Sequence, residues 1–131
     1  MLYYSYLMRA FKTKPFARFA AKEGIADAVL RDAIQRAEAG LVDADLGGGV
    51  IKQRLARPGQ GKSGGFRSIV LFRRQAMAFF VYGFAKNDRG NIDRQELKAF
   101  RLLATEMLAL NDKELQMAIK NGTIMEIEED G

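Results

Sequence analysis

The chain has 131 residues, 48% of them hydrophobic, which is enough for one domain with its own core and too apolar for a disordered chain. It has no cysteine, which excludes disulfides and thiolate metal sites and points to a reducing cytoplasm, and no histidine, so any acid–base chemistry falls to Lys, Arg, Tyr, Ser or carboxylates. The formal net charge is +5, and it is segregated: from Leu46 to Lys86 there is no Asp or Glu, while Lys52, Arg54, Arg57, Lys62, Arg67, Arg73, Arg74 and Lys86 all fall there, so the remainder of the chain is net acidic. Such segregation is the footprint of a polyanion partner, and a solvated basic face is its plain alternative.

Met1 to Leu7 is apolar but short, without a basic leader or a small-residue cleavage site. It reads as an extension before a start at Met8, or as a loosely docked tail, and not as a signal peptide. No apolar run approaches the ~20 residues of a membrane span. Arg9 to Thr13 reads as a first strand. Pro15 suits the first turn of a helix capped by Thr13, with Phe16, Phe19 and Ala20 on one face and Gly24 as its stop. Asp27 is the expected cap of a second helix reaching Ala39, with Leu30, Ala33, Ile34 and Ala37 at helical spacing and Gly40 beyond it. The two form a helical hairpin whose apolar face needs a sheet to cover.

Gly47-Gly48-Gly49 leads into a strand from Val50 to Ala56. A second strand runs from Phe66 to Arg73, and Arg73-Arg74-Gln75 turns tightly into a third, from Ala76 to Phe84. Short connections make these an antiparallel meander. Alternation puts Lys52 and Arg54 on one face and Ile51 and Leu55 on the other, and Arg67 on the same face as Arg73. Asp93 or Asn91 opens a third helix to about Leu110, burying Leu97, Phe100, Leu103, Ala104 and Met107. Asn111 and Glu114 form a capping box for a last short helix ended by Gly122. The whole of 1–131 reads as a single domain, with 123–131 an acidic tail. Glu126 to Asp130 is expected to fray and to be dispensable.

The loop Arg57-Pro58-Gly59-Gln60-Gly61-Lys62-Ser63-Gly64-Gly65-Phe66-Arg67 contains Gly-Lys-Ser and a G-x-G-x-x-G spacing. Neither makes a nucleotide site. A phosphate-binding loop needs glycine at position 56, where Ala56 stands, and needs a following helix, where a strand is expected. A glycine-rich turn between two strands fits better.

That loop lies inside a longer pattern: Ile51-Lys52-Gln53-Arg54 before it, Phe66-Arg67 closing it, then Tyr82-Gly83-Phe84-Ala85-Lys86-Asn87 and Asn91-Ile92-Asp93. In these strings, over about Met8 to Gly122, the chain resembles the RelE/HigB-like toxins of bacterial type II toxin–antitoxin systems. The resemblance implies an α+β fold, an N-terminal helical hairpin packed on a twisted antiparallel β-sheet with C-terminal helices. It implies a cytoplasmic enzyme that cuts messenger RNA in the ribosomal A site without metal or other cofactor. It also implies a cognate antitoxin, often a helix-turn-helix protein, through which alone the toxin meets operator DNA; no membrane partner is implied. Two departures stand out. Some relatives use histidines, absent here, and others a tyrosine near the C-terminus, whereas the last tyrosine here is Tyr82.

RNA cleavage by a ribose 2′-hydroxyl needs in-line positioning, stabilisation of a phosphorane and a proton for the leaving oxygen. Arg67, with its planar fork of donors, is the candidate for the phosphate. Lys52 and Arg54 are candidates beside it, a lysine among neighbouring cations being the candidate base. Tyr82 is the candidate for stacking or proton relay. Arg57, Lys62, Arg73, Arg74 and Lys86 are candidates for gripping RNA. Simple RNA docking is the alternative for each catalytic candidate. Two further readings stay open for the chain: a toxin of the same fold that inhibits DNA gyrase by binding it, and a basic RNA-binding module without catalysis.

Overall fold

A computed structural model describes residues 8–56 and 65–128. Expectations for 1–7, for the glycine-rich loop with Arg57 and Lys62, and for the last three residues lie outside the described residues.

The elements follow in the order β1 (Arg9–Thr13), α1 (Lys14–Glu23), α2 (Asp27–Glu38), β2 (Ala44–Gly47), β3 (Val50–Leu55), β4 (Phe66–Arg73), β5 (Met77–Ala85), α3 (Arg94–Met107), α4 (Asp112–Lys120) and β6 (Ile124–Glu126). The α+β class, the N-terminal helical hairpin and the C-terminal helices stand as expected. The sheet has six strands in the order β2-β3-β4-β5-β1-β6. Its β3-β4-β5 centre is the expected antiparallel meander. The expectation of a wholly antiparallel sheet needs correction: β1 runs parallel to β5, with Phe11 beside Phe79. The chain leaves β1 into the helical hairpin and returns through the meander, so β5 arrives in the same direction as β1.

Both helices of the hairpin cover one face of the sheet. Phe16 and Ala20 of α1 and Leu30, Ala33, Ile34 and Ala37 of α2 are buried against Ile51, Leu55, Phe66, Val70 and Phe80. Each large side chain removed from water here contributes about 1.5–3 kcal/mol. Gln53, fully buried among them, donates to the carbonyls of Ala33 (2.9 Å) and Leu41 (3.3 Å) and accepts from the Asp43 N–H (2.7 Å). It thereby ties α2 and the connection between α2 and β2 to β3.

Two expected caps behave differently. Thr13 occupies the cap position of α1, but its hydroxyl donates to the Phe80 carbonyl at 3.2 Å. Asp27 is the first residue of α2 and Ala26 is the cap, and the Asp27 carboxylate pairs with Lys12 at 2.9 Å.

The second face is covered by α3 and α4. Both open with complete capping boxes, Asp93 with Glu96 and Asn111 with Glu114. Ala104 and Leu115 are buried against Phe11, Val50, Ile69, Leu71 and Phe79. The expected core of α3 is only partly realised. Leu97, Phe100, Leu103 and Met107 are half-buried, and the last three line an apolar groove of about 430 Å³ over Val81. The connection Gly47-Gly48-Gly49 turns with φ of 82°, 65° and 83°, a left-handed run only glycine adopts freely.

The acidic tail is not frayed over its described part. Residues Ile124–Glu126 form β6 antiparallel to β1, and Glu126 accepts two bonds from the Arg9 guanidinium at 2.8 and 3.0 Å. Ile127 is buried, and its N–H donates to the Ala10 carbonyl at 2.8 Å. Ile124 enters the core on the α3–α4 side and Ile127 the core on the hairpin side, and this burial holds the charged segment in place.

Candidate functional site

The site lies on the second face, at the end that α3 leaves open. In β3, Val50 faces α3, so Lys52 and Arg54 share its side while Ile51, Gln53 and Leu55 face the hairpin. The β3–β4 register sets Arg54 opposite Arg67 and Lys52 opposite Ile69. The β4–β5 register continues both rows, Arg67 beside Phe84 and Ile69 beside Tyr82. One row thus reads Arg54–Arg67–Phe84, and the next reads Lys52–Ile69–Tyr82.

Tyr82 reaches this face through an irregularity. Phe79 belongs to the second face and Phe80 to the first, so strict alternation assigns Tyr82 to the hairpin side. The pairing shifts between Ile69 and Val70, with Ile69 opposite Tyr82 but Val70 opposite Phe80, which leaves Val81 as an extra residue on β5. This β-bulge moves Tyr82 and Phe84 over to the side of Arg67. It also turns Gly83 to the hairpin side, where a Cβ would meet the Phe19 ring at 2.3 Å.

The three cations differ in what holds them. Arg67 is only 8% exposed, and its Nη1 donates to the Phe66 carbonyl at 3.4 Å; among the described residues it has no ion-pair partner. A buried guanidinium without a carboxylate is costly, and a bound anion offsets that cost. Arg54 is half-exposed and lies 3.9 Å from Asp43, a weak pair that also involves Arg36 at 3.8 Å. The Lys52 ammonium donates to the Asn91 side-chain oxygen at 3.3 Å.

Lys86 follows the end of β5 beside Gly65, close to the Arg67 end of the sheet. Arg73 shares the parity of Arg67 but stands six residues along β4, about 20 Å away, and Arg74 lies in the turn beyond it. The structure therefore brings together Lys52, Arg54, Arg67 and Tyr82, flanks them with Lys86, and leaves Arg73 and Arg74 at the far end. No group of three or more carboxylates is placed to hold a metal ion among the described residues.

A model of the RelE toxin of the RelE/RelB toxin–antitoxin system matches residues 8–127. The chain belongs to the RelE toxin family. It is the toxin of a toxin–antitoxin pair, and the family supplies an antitoxin as its partner. No curated relative matches the chain. No helix among the described residues of the toxin is long and apolar enough to cross a membrane.

Three residues of the candidate site escaped the sequence reading: Arg89, Asn91 as a hydrogen-bond partner of Lys52, and Glu96. Arg89 sits in the connection from β5 to α3. Its guanidinium bonds both carboxylate oxygens of Glu96 (2.9 and 2.7 Å), the Tyr82 hydroxyl (3.0 Å) and the Asn91 carbonyl (2.9 Å). It lies over the Tyr82 and Phe84 rings, 5.8 and 5.7 Å from their centroids. The bonds to Glu96 and then Tyr82 hold the Arg89 pKa well above its ordinary value. The same guanidinium, followed by the Asp93 N–H, holds Glu96 below the usual glutamate value. The one sequence signal was Glu96 itself: a capping residue seven positions after an arginine can serve both.

Proposed function

We propose that this toxin is a ribosome-dependent messenger RNA endonuclease of the cytoplasm that needs no metal, and that Arg67 is its phosphate-binding catalytic residue. The observation that carries the reading is the Arg67 guanidinium: nearly buried, unpaired by carboxylate among the described residues, and set directly across from Arg54. A phosphorane oxyanion seated there meets a planar, preorganised donor instead of water. Lys52, one row away, is the candidate proton acceptor for the 2′-hydroxyl. Tyr82, in the same row, is the candidate to donate a proton or to stack. Lys86, with Arg57 and Lys62 of the glycine-rich loop, serves to dock the RNA backbone, where contacts add affinity and salt dependence more than rate. Arg73 and Arg74 stand too far from Arg67 to share one scissile phosphate with it.

The test adds purified toxin to translating ribosomes and maps messenger 5′ ends. New ends at A-site positions, absent when ribosomes are omitted, are the expected result. Intact messenger together with inhibited gyrase supercoiling would replace this reading with inhibition by protein binding. Binding to ribosomes without cleavage would replace it with a non-catalytic RNA-binding module.

A further inference from the structure

Arg89 carries a charge that points inward. A guanidinium has five N–H donors. Four of them are consumed within the protein: Nε by the Asn91 carbonyl, Nη1 by the Tyr82 hydroxyl and one Glu96 oxygen, and Nη2 by the other Glu96 oxygen. With its charge matched by Glu96, Arg89 is poorly suited to grip RNA, unlike Arg67. What it does fix is Tyr82. A phenol oxygen that accepts from a guanidinium keeps its own proton as a donor for another group. The Tyr82 ring is held between Phe84 and Phe100, with centroids at 5.8 and 6.0 Å, so ring and hydroxyl are both constrained.

We propose that Arg89 is a positioning residue of the toxin: it holds the Tyr82 hydroxyl as an acceptor, so that the Tyr82 proton is presented to the RNA bound along the Lys52–Arg67 rows. The inference rests on the endonuclease reading above and assigns Tyr82 the donor role, with Arg89 acting only through it. In the cleavage step the 2′-oxygen bonds to phosphorus, the bond from phosphorus to the 5′-oxygen breaks, and the departing oxygen takes up the Tyr82 proton. The 2′-hydroxyl proton passes to the base, and a 2′,3′-cyclic phosphate remains. The resulting phenolate, facing Arg89, regains its proton from solvent.

The experiment measures single-turnover cleavage on saturating ribosomes for Arg89→Gln and Arg89→Lys, each in the wild-type and the Tyr82→Phe background. Misplacing a reacting group by about 1 Å costs on the order of 10²-fold. Arg89→Gln is therefore expected to lower the saturated rate about 10²-fold, with the half-saturating ribosome concentration unchanged. Arg89→Lys, which keeps a cationic donor, is expected to recover part of the rate. In the Tyr82→Phe background the Arg89 substitutions are expected to cost nothing further. Equal losses in both backgrounds, or a loss only in affinity, overturn the proposal, since Arg89 then acts by another route. If Arg89→Gln melts before the assay temperature, the same crossing with Arg89→Lys decides it. A wild type that cuts nothing sinks the endonuclease reading itself, whereas a cutting wild type whose variants miss this pattern sinks only the role of Arg89.

Discussion

Against α1 and α2 the sheet presents Ile51, Leu55, Phe66, Val70 and Phe80, and its one buried amide, Gln53, has partners at both ends of the side-chain group. Against α3 and α4 the same strands present Val50, Leu71 and Phe79 at one end, then Lys52 beside Ile69, and Arg54 beside Arg67 at the other. Both faces come from alternate residues of the same segments. One face is closed by the two helices of the hairpin, and its described buried polar side chains, Gln53 and Ser68, are hydrogen-bonded; on the other, α3 and α4 cover the end around Val50, Leu71 and Phe79 and leave the cations at the opposite end. The cations thus stand where apolar side chains would have added stability by burial, as the proposed RNA-binding role requires.

If that division is right, substitutions on the hairpin side cost folding and those on the cationic end cost activity. Phe16→Ala is expected to have the largest effect on stability. Phe16 is 1% exposed and packs on Phe80 with ring centroids 5.2 Å apart, so its removal should cost about 3–5 kcal/mol in chemical denaturation. Ile127→Ala, at the far edge, should cost about 2 kcal/mol or more by the same measurement, because the side chain is buried beside Ala10. An unchanged midpoint would restore the expectation of a dispensable tail. Gly83→Ala should cost about 1–3 kcal/mol, since the new methyl displaces the Phe19 ring. It also tests the bulge, because with regular alternation residue 83 would face away from Phe19.

These sites show where the sequence was readable. The bounds of β1 and β4 follow from short apolar runs ended by Pro15 or begun after the double glycine Gly64-Gly65, and the residues expected to share the α2 face are the ones buried. β2 and β6 were not legible. Ala44-Asp45-Leu46-Gly47 has little strand preference and becomes a strand by pairing with β3, and Ile124–Glu126 does so by pairing with β1. The parallel β1–β5 pairing joins segments more than sixty residues apart, beyond any local pattern. Arg67 with Lys52 and Arg54 was legible because strand parity and a short hairpin suffice to bring them together. Tyr82 was named, yet its face depends on the bulge at Val81, and Arg89 depends on a chain reversal that folds the β5–α3 connection back over Tyr82.

The smallest expected effect concerns Glu96. Its pKa is lowered in the folded toxin by Arg89 first and the Asp93 N–H second. A lowered folded value means the unfolded chain binds the proton more readily, so the contribution to stability is present above the ordinary value of 4.5 and lost as pH falls through the folded value. Thermal midpoints recorded from pH 7 down to pH 3 should therefore drop less steeply for Glu96→Gln than for wild type. Parallel curves would show that the pair with Arg89 adds nothing to acid stability.

The open, cationic end of the sheet is tested most directly by Arg67→Ala in single-turnover cleavage on saturating ribosomes, with the thermal midpoint measured on the same sample. Loss of a preorganised donor to a transition-state oxyanion costs about 3–4 kcal/mol, or 10²–10³ in rate. The account predicts that fall in the saturated rate with the fold intact. A variant that remains folded and cuts at the wild-type rate once saturated would contradict it, leaving Arg67 a docking contact and the catalytic centre elsewhere.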